Sequence, residues 1–250
     1  MQLSTQNLII QFIYMIPDKI IYISLMVGSV LFPFLFSFEK QIQFFKKWKF
    51  LFIATAIPAT FFIIWDSWFT QHGVWSFNNT YILGPRLLGL PLEEWLFFVI
   101  IPYCSVFVYE VIKSYFPKLN FNKGIYVSFV VLLLIFALLT YVYSSRDYTF
   151  YNFLFNTIML SFLLLNKWFK EHLTHFTLAF VVSLVPMFIV NGVLTAMPVV
   201  EYNSMEISNI RIYTIPFEDF FYFFLLFMMN IVIYEQLQRK RAKVNNKLTH

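Results

Sequence analysis

Two short motifs hold most of the ionisable groups that lie in apolar surroundings. Pro91-Leu92-Glu93-Glu94 and Pro216-Phe217-Glu218-Asp219 each open an apolar stretch, and Asp66 is a fifth acid within another. Such groups are costly in lipid and are functional candidates by default. Proline followed by acids is also an ordinary helix start. Three features favour chemistry. The motif occurs twice, it sits at the ends of apolar segments, and dense aromatics follow: Trp95, Phe97 and Phe98, then Phe220 through Phe224 with Tyr222 among them. The chemistry that fits is proton transfer to an apolar substrate. Protonating an alkene needs a carboxylic acid kept neutral until used. Burial and a second nearby carboxylate raise a carboxyl pKa, whereas a helix N-terminus lowers it, so burial and pairing must win. The resulting carbocation needs a dry pocket with electron-rich ring faces, and a base to take a proton back. The catalytic candidates are therefore Glu93, Glu94, Glu218, Asp219 and Asp66. Trp65, Trp95, Phe97, Phe98, Tyr222, Asn78, Asn191, Asn203, Arg86 and Arg211 are candidates for binding substrate. For the two arginines, and for Asn78 and Asn203, holding a loop is the simpler role. Tyr109-Glu110 and Tyr234-Glu235 lie one helix length from the motifs and are expected to anchor the far boundary.

The elements that must position these groups are membrane helices. Of 250 residues, 60% are hydrophobic, 22% aromatic and 12% charged, about half the charge of a soluble domain. Mean hydropathy is +0.69. Seven stretches approach the roughly 20 apolar residues a span needs: 18–37, 48–69, 91–113, 124–144, 149–167, 174–196 and 215–237. Residues 1–17 read as an interfacial segment, with no signal peptide. One side of a seven-span chain receives Lys40, Lys46, Lys47, Lys49, Lys113, Lys118, Lys123, Lys167, Lys170 and the run from Arg239; the other receives Lys19, Arg86, Arg146 and Arg211. The positive-inside rule puts the N-terminus outside and the C-terminus in the cytoplasm. The net charge of +5 is thus a topology signal and not a nucleic-acid footprint. The basic tail, 238–250, suits anionic lipid. The lone Cys104 forms no internal disulfide, no Cys/His cluster suggests a metal, and none of the six glycines builds a dinucleotide or phosphate loop. No cofactor is expected.

The chain also repeats itself. Displaced by 125 residues, 66–110 lies on 191–235 without a gap, matching Thr70/Thr195, Asn78/Asn203, Arg86/Arg211, Pro91/Pro216, Glu93/Glu218, Tyr109/Tyr234 and Glu110/Glu235. Glu94 falls on Asp219, and Asp66 on Asn191. Four helices separate the copies, so both run the same way, related by a pseudo-twofold axis along the membrane normal. The predicted fold is an all-α integral membrane protein with a 3+1+3 parallel repeat. Residues 1–115 form the first unit, 116–146 the linker helix, 147–237 the second unit and 238–250 the tail.

Trp65-Asp66, Gly73-Val74-Trp75-Ser76-Phe77-Asn78, Pro91 to Phe98, Asn191-Gly192, Tyr202-Asn203, Arg211-Ile212, Thr214 to Asp219 and Tyr234-Glu235 resemble the heterodimeric-type bacterial lycopene cyclases in a fused, single-chain form. The resemblance covers nearly the whole chain. It implies non-redox closure of a β-ring at an end of lycopene, without the flavin motif of the other cyclase class. It also implies a site shared by the two halves, led by Glu93 and Glu218 with Glu94 and Asp219 in support. The partners implied are lycopene or a related carotenoid, membrane lipid and other carotenoid-pathway enzymes, in the cell inner membrane. The competing expectations are a non-catalytic carotenoid-binding membrane protein and a cyclase of a longer or modified carotenoid. A retinal pigment would need a Schiff-base lysine in 215–237, where none exists, and a prenyltransferase would need paired Asp motifs.

Overall fold

The computed structural model describes residues 17–248. Its seven long helices are α1 (Ile21–Phe36), α2 (Trp48–Gln71), α3 (Leu92–Tyr115), α4 (Asn122–Val142), α5 (Asp147–Leu165), α6 (Leu173–Ala196) and α7 (Phe217–Leu248). All seven are long and apolar enough to cross a membrane, and each falls on a predicted stretch to within a few residues apart from the C-terminal end of α7. The interfacial segment predicted over 1–17 lies, except for Pro17, outside the described residues. Helix α7 runs on through the basic stretch to Leu248. No glycine or proline follows Pro216, and Gln, Arg, Lys and Ala propagate a helix well.

The packing centres on α2, α3, α6 and α7. Helix α2 packs on α7 and α3, and α3 packs on α6 and α7; α1 leans on α3, and α5 on α7. Helix α4 is peripheral and packs mainly on α5. Only 11% of its span is buried, against 67% for α7, so α4 faces outward on most sides.

Six short strands add to the helices: β1 (Trp75–Phe77), β2 (Arg86–Leu87), β3 (Leu90–Pro91), β4 (Val200–Tyr202), β5 (Arg211–Ile212) and β6 (Ile215–Pro216). β2 and β3 form a hairpin immediately before α3, and β5 and β6 form one before α7. The first turn places Leu88 at φ +54° and Gly89 at φ +83°, the two left-handed residues of a type I′ turn. In the second only Tyr213 of the two central residues is left-handed, at φ +62°, and Thr214 stands where the first has glycine. β1 and β4 join the two loops, pairing antiparallel with Trp75 opposite Tyr202. The ladder is extended at both ends, where Asn78 N–H donates to the Val199 carbonyl at 3.0 Å and Asn203 N–H to the Val74 carbonyl at 2.9 Å.

Candidate functional site

The hairpins fix how each acidic motif enters its helix. Pro91 pairs with Arg86 and Pro216 with Arg211, so each proline lies in a strand and the next residue begins the helix. Arg86 Nη1 donates to the Gly89 carbonyl at 3.0 Å, and Arg211 Nη1 to the Thr214 carbonyl at 2.6 Å, each closing its own turn. Arg86 Nη2 also binds the Phe77 carbonyl and Asn79 Oδ1, both at 2.8 Å. Asn78 Oδ1 accepts from Thr80 N–H and Asn203 Oδ1 from Met205 N–H, both at 3.0 Å, as Asx turns do.

The first acid of each motif faces its loop. Glu93 Oε1 accepts the Leu83 N–H at 2.7 Å, and Glu218 Oε1 accepts the Ser208 N–H at 2.6 Å. Thr149 Oγ1 also donates to Glu218, at 2.5 Å. Both carboxyls are fully buried. Each carboxyl thus gives a loop N–H its acceptor.

The second acids face inward. Glu94, Asp219 and Asp66 line a single cavity of about 610 Å³ bounded by α1, α3, α6 and α7, with β1, β4 and the start of α5 at its end. Asp66 and Glu94 are near neighbours in it. Tyr222 OH donates to Asp66 Oδ1 at 2.7 Å, and Tyr22 OH to Glu94 Oε2 at 2.5 Å. Two neighbouring buried carboxyls repel when both are ionised, which favours one of them keeping its proton. Asp219 is held differently. Tyr148 OH donates to Oδ1 at 2.7 Å, and Tyr202 OH at 2.9 Å and Asn191 Nδ2 at 3.1 Å donate to Oδ2. Three donors suit an ionised carboxylate. Burial, and then the Asp219 carboxylate beside it, push the Tyr202 phenol well above its ordinary value, so it remains a proton-bearing donor.

Aromatic rings close the carboxyl end of the cavity. Trp75 meets Tyr148 edge-on at 5.0 Å, Tyr148 stacks on Tyr202 at 5.9 Å, and Tyr222 lies 6.3 Å from Trp75. Electron-rich faces around a water-poor chamber attract a cation.

Of the residues singled out from sequence, Asp66, Glu94, Asp219, Phe97, Asn191 and Tyr222 line the cavity. Glu93, Glu218, Arg86, Arg211, Asn78 and Asn203 stand off it, in the loop contacts above. Trp95 donates its indole N–H to the Leu87 carbonyl at 3.2 Å, and Phe98 stacks on Phe62 at 5.8 Å. Trp65 packs between Phe155 and Tyr222, at 4.8 and 5.3 Å. Sequence inspection missed Tyr22, Tyr148, Tyr202 and Trp75 as site residues. The available signal was a tyrosine near the start of α1 and of α5, each ahead of an acid pair.

The expected anchor at the other end of the bundle is an ionic cluster. Lys47 pairs with Glu110 and Lys113 with Glu235. Tyr234 OH donates to Glu110 at 2.9 Å, and Tyr109 OH lies 3.2 Å from His172 Nδ1. These contacts tie α2, α3, α7 and the segment leading into α6.

Fold and site together define a class: a polytopic helical protein whose buried carboxyls and tyrosines end an apolar chamber. The profile of the lycopene cyclase family matches residues 19–112 and 145–237, omitting α4, and the chain belongs to that family. Among curated proteins, a 45-residue stretch is 51% identical to a bifunctional lycopene cyclase/phytoene synthase of Neurospora crassa, covering 18% of this chain and 8% of that one. Proteins of the same description from Phaeosphaeria nodorum and Podospora anserina are 39% identical over 67 residues and 37% over 72. These cover 26% and 28% of this chain and 11% and 12% of theirs. The matched stretches thus span about a tenth of these relatives' length. No solved structure matches the chain.

Proposed function

We propose that the chain cyclises lycopene without redox chemistry, with the Asp66–Glu94 pair as the acid and Asp219 as the base. The proton held between Asp66 and Glu94 adds to a terminal alkene of the substrate. The tertiary carbocation so formed is attacked by a second alkene, closing a six-membered ring and moving the charge onto the ring. Asp219 then takes a ring proton, leaving a β-ring. One proton enters and one leaves, so substrate and product are isomers. The rings of Trp75, Tyr148, Tyr202 and Tyr222 would attract the cation and keep water from trapping it.

The observation that carries this assignment is the unequal partnering of three carboxyls in one cavity. Asp66 faces Glu94, whereas Asp219 faces Asn191 and two tyrosine hydroxyls. Position 77, which corresponds to Tyr202, is phenylalanine and supplies no hydroxyl. Glu93 and Glu218, first in line by sequence, become positioning residues that fasten the loops. Two parallel units, an external N-terminus and a cytoplasmic C-terminus belong to the same proposal. The matched contacts support it: α1 with α3 as α5 with α7, and α2 with α7 as α6 with α3. So does the excess of lysine on one side.

Expression in a bacterium that accumulates lycopene, with pigments separated by chromatography, tests the assignment. β-Ringed carotenoid is expected from the unmodified chain. Asp66→Asn, Glu94→Gln and Asp219→Asn should each lower its yield about 10²-fold or more at equal membrane levels. Full activity in Asp219→Asn would remove the base.

A further inference from the structure

The α6 wall of the cavity differs from its counterpart in the repeat. On α6 the cavity is lined by Pro186, Met187, Val190, Val193 and Leu194. The residues 125 positions earlier on α2 are Phe61, Phe62, Trp65, Trp68 and Phe69. Five small or aliphatic side chains of α6 thus correspond to five aromatic ones on α2, none of which lines the cavity. The aromatic set fills its own space. Phe61 meets Phe155 at 5.1 Å, Trp65 meets Phe155 at 4.8 Å, Trp68 meets Tyr151 at 5.2 Å and Phe62 meets Tyr222 at 4.8 Å. Where the first half has α1 and α6 leaning on α3 around a cavity, α5 and α2 lean on α7 around packed rings.

The open cavity also reaches the outer surface. Gly28 and Phe32 on α1, and Pro186 and Ile189 on α6, line it and are exposed as well; Phe32 is 61% and Ile189 57% accessible. Both helices are long and apolar enough to cross a membrane, so a passage between them would open to lipid and not to water. A long polyene dissolved in the bilayer would thread one end inward along that passage until it met Glu94, Asp66 and Asp219.

We infer that the gap between α1 and α6 is the entrance for one acyclic end of a carotenoid from the bilayer. The aliphatic wall of α6, with Val190 at its centre, is what keeps that chamber open, and the aromatic wall of α2 closes its twin. This deepens the cyclase proposal and rests on it. The chain has a chamber for one end at a time, and the far end stays in lipid. What the far end carries is therefore outside the selection made by this wall, and a carotenoid already ringed there remains a substrate.

The test places on α6 the residue that α2 carries. Val190→Trp and Val181→Trp are expressed in the lycopene-accumulating bacterium and purified in lipid nanodiscs. Lycopene retained by the protein is read by absorbance, and cyclised pigment by chromatography. Val181 is 54% exposed on α6 and outside the cavity, so its tryptophan controls for bulk in a membrane helix. Val190→Trp should lose both bound lycopene and cyclised product by about tenfold or more, while Val181→Trp matches the unmodified chain. Bound lycopene in Val190→Trp equal to the unmodified chain overturns the inference. So does loss of binding in Val181→Trp equal to that in Val190→Trp. Lycopene bound by the unmodified chain and lost in Val190→Trp, with no ring formed by either, would retain the chamber and overturn the cyclase proposal instead.

Discussion

Glu93 and Glu94 are neighbours in sequence but point about 100° apart on an α-helix, and so do Glu218 and Asp219. One member of each pair therefore turns back to the preceding loop when the other faces the bundle interior. Which member does which depends on the rotation of the helix, set by packing and by the hairpin before it. Paired acids beside aromatics marked this end of the bundle in the sequence, but which member of each pair enters the cavity was not legible there. The consequence is testable. Glu93→Gln keeps an acceptor for Leu83 N–H and is expected to retain most cyclisation. Glu93→Ala removes that acceptor and should cost about 1 kcal/mol of stability. Thermal unfolding in detergent, run beside the pigment assay, separates the two effects. A collapse of turnover in Glu93→Gln at unchanged stability would return Glu93 to the reacting group.

The seven helices were readable because lipid imposes a length and an apolar composition on each span. The ribbons were not, since strands of two or three residues are too short to show an alternating pattern. Yet the ribbons orient the site. β2–β3 and β5–β6 aim α3 and α7, and β1–β4 holds Trp75 opposite Tyr202 across the two loops. Asn78→Pro removes the N–H that donates to Val199. A shift of 1 Å among reacting groups can cost about 10²-fold in rate. The variant should therefore insert normally but lose at least about tenfold in cyclised pigment. Protease cutting near 78–80, compared with the unmodified chain, would report the loosened ribbon. The ionic cluster at the far end, where Tyr234 reaches Glu110, fastens the helices independently, so the bundle should survive the change.

At the scale of the molecule the cavity draws Asp66 and Glu94 from α2 and α3, and Asp219 from α7. A chain divided in the loop between α3 and α4, near 118–120, leaves α4 with its neighbour α5 and separates Asp66 and Glu94 from Asp219. Each piece expressed alone should give no ring, and the two together should restore cyclised pigment. Activity in one piece alone would disprove a site shared between them. The sequence by itself determined the seven spans, the end of the bundle where the acids lie and the family to which the chain belongs. Those properties follow from local hydropathy and short motifs, which need no knowledge of distant contacts. Only the tertiary structure decided that Asp66 meets Glu94, that tyrosines from α1, α5 and β4 complete the carboxyl partners, and that one wall stays open while its counterpart is filled. Those relations join residues up to 156 positions apart, such as Tyr222 and Asp66, and arise from the rotation and packing of whole helices, which spacing along the chain does not encode.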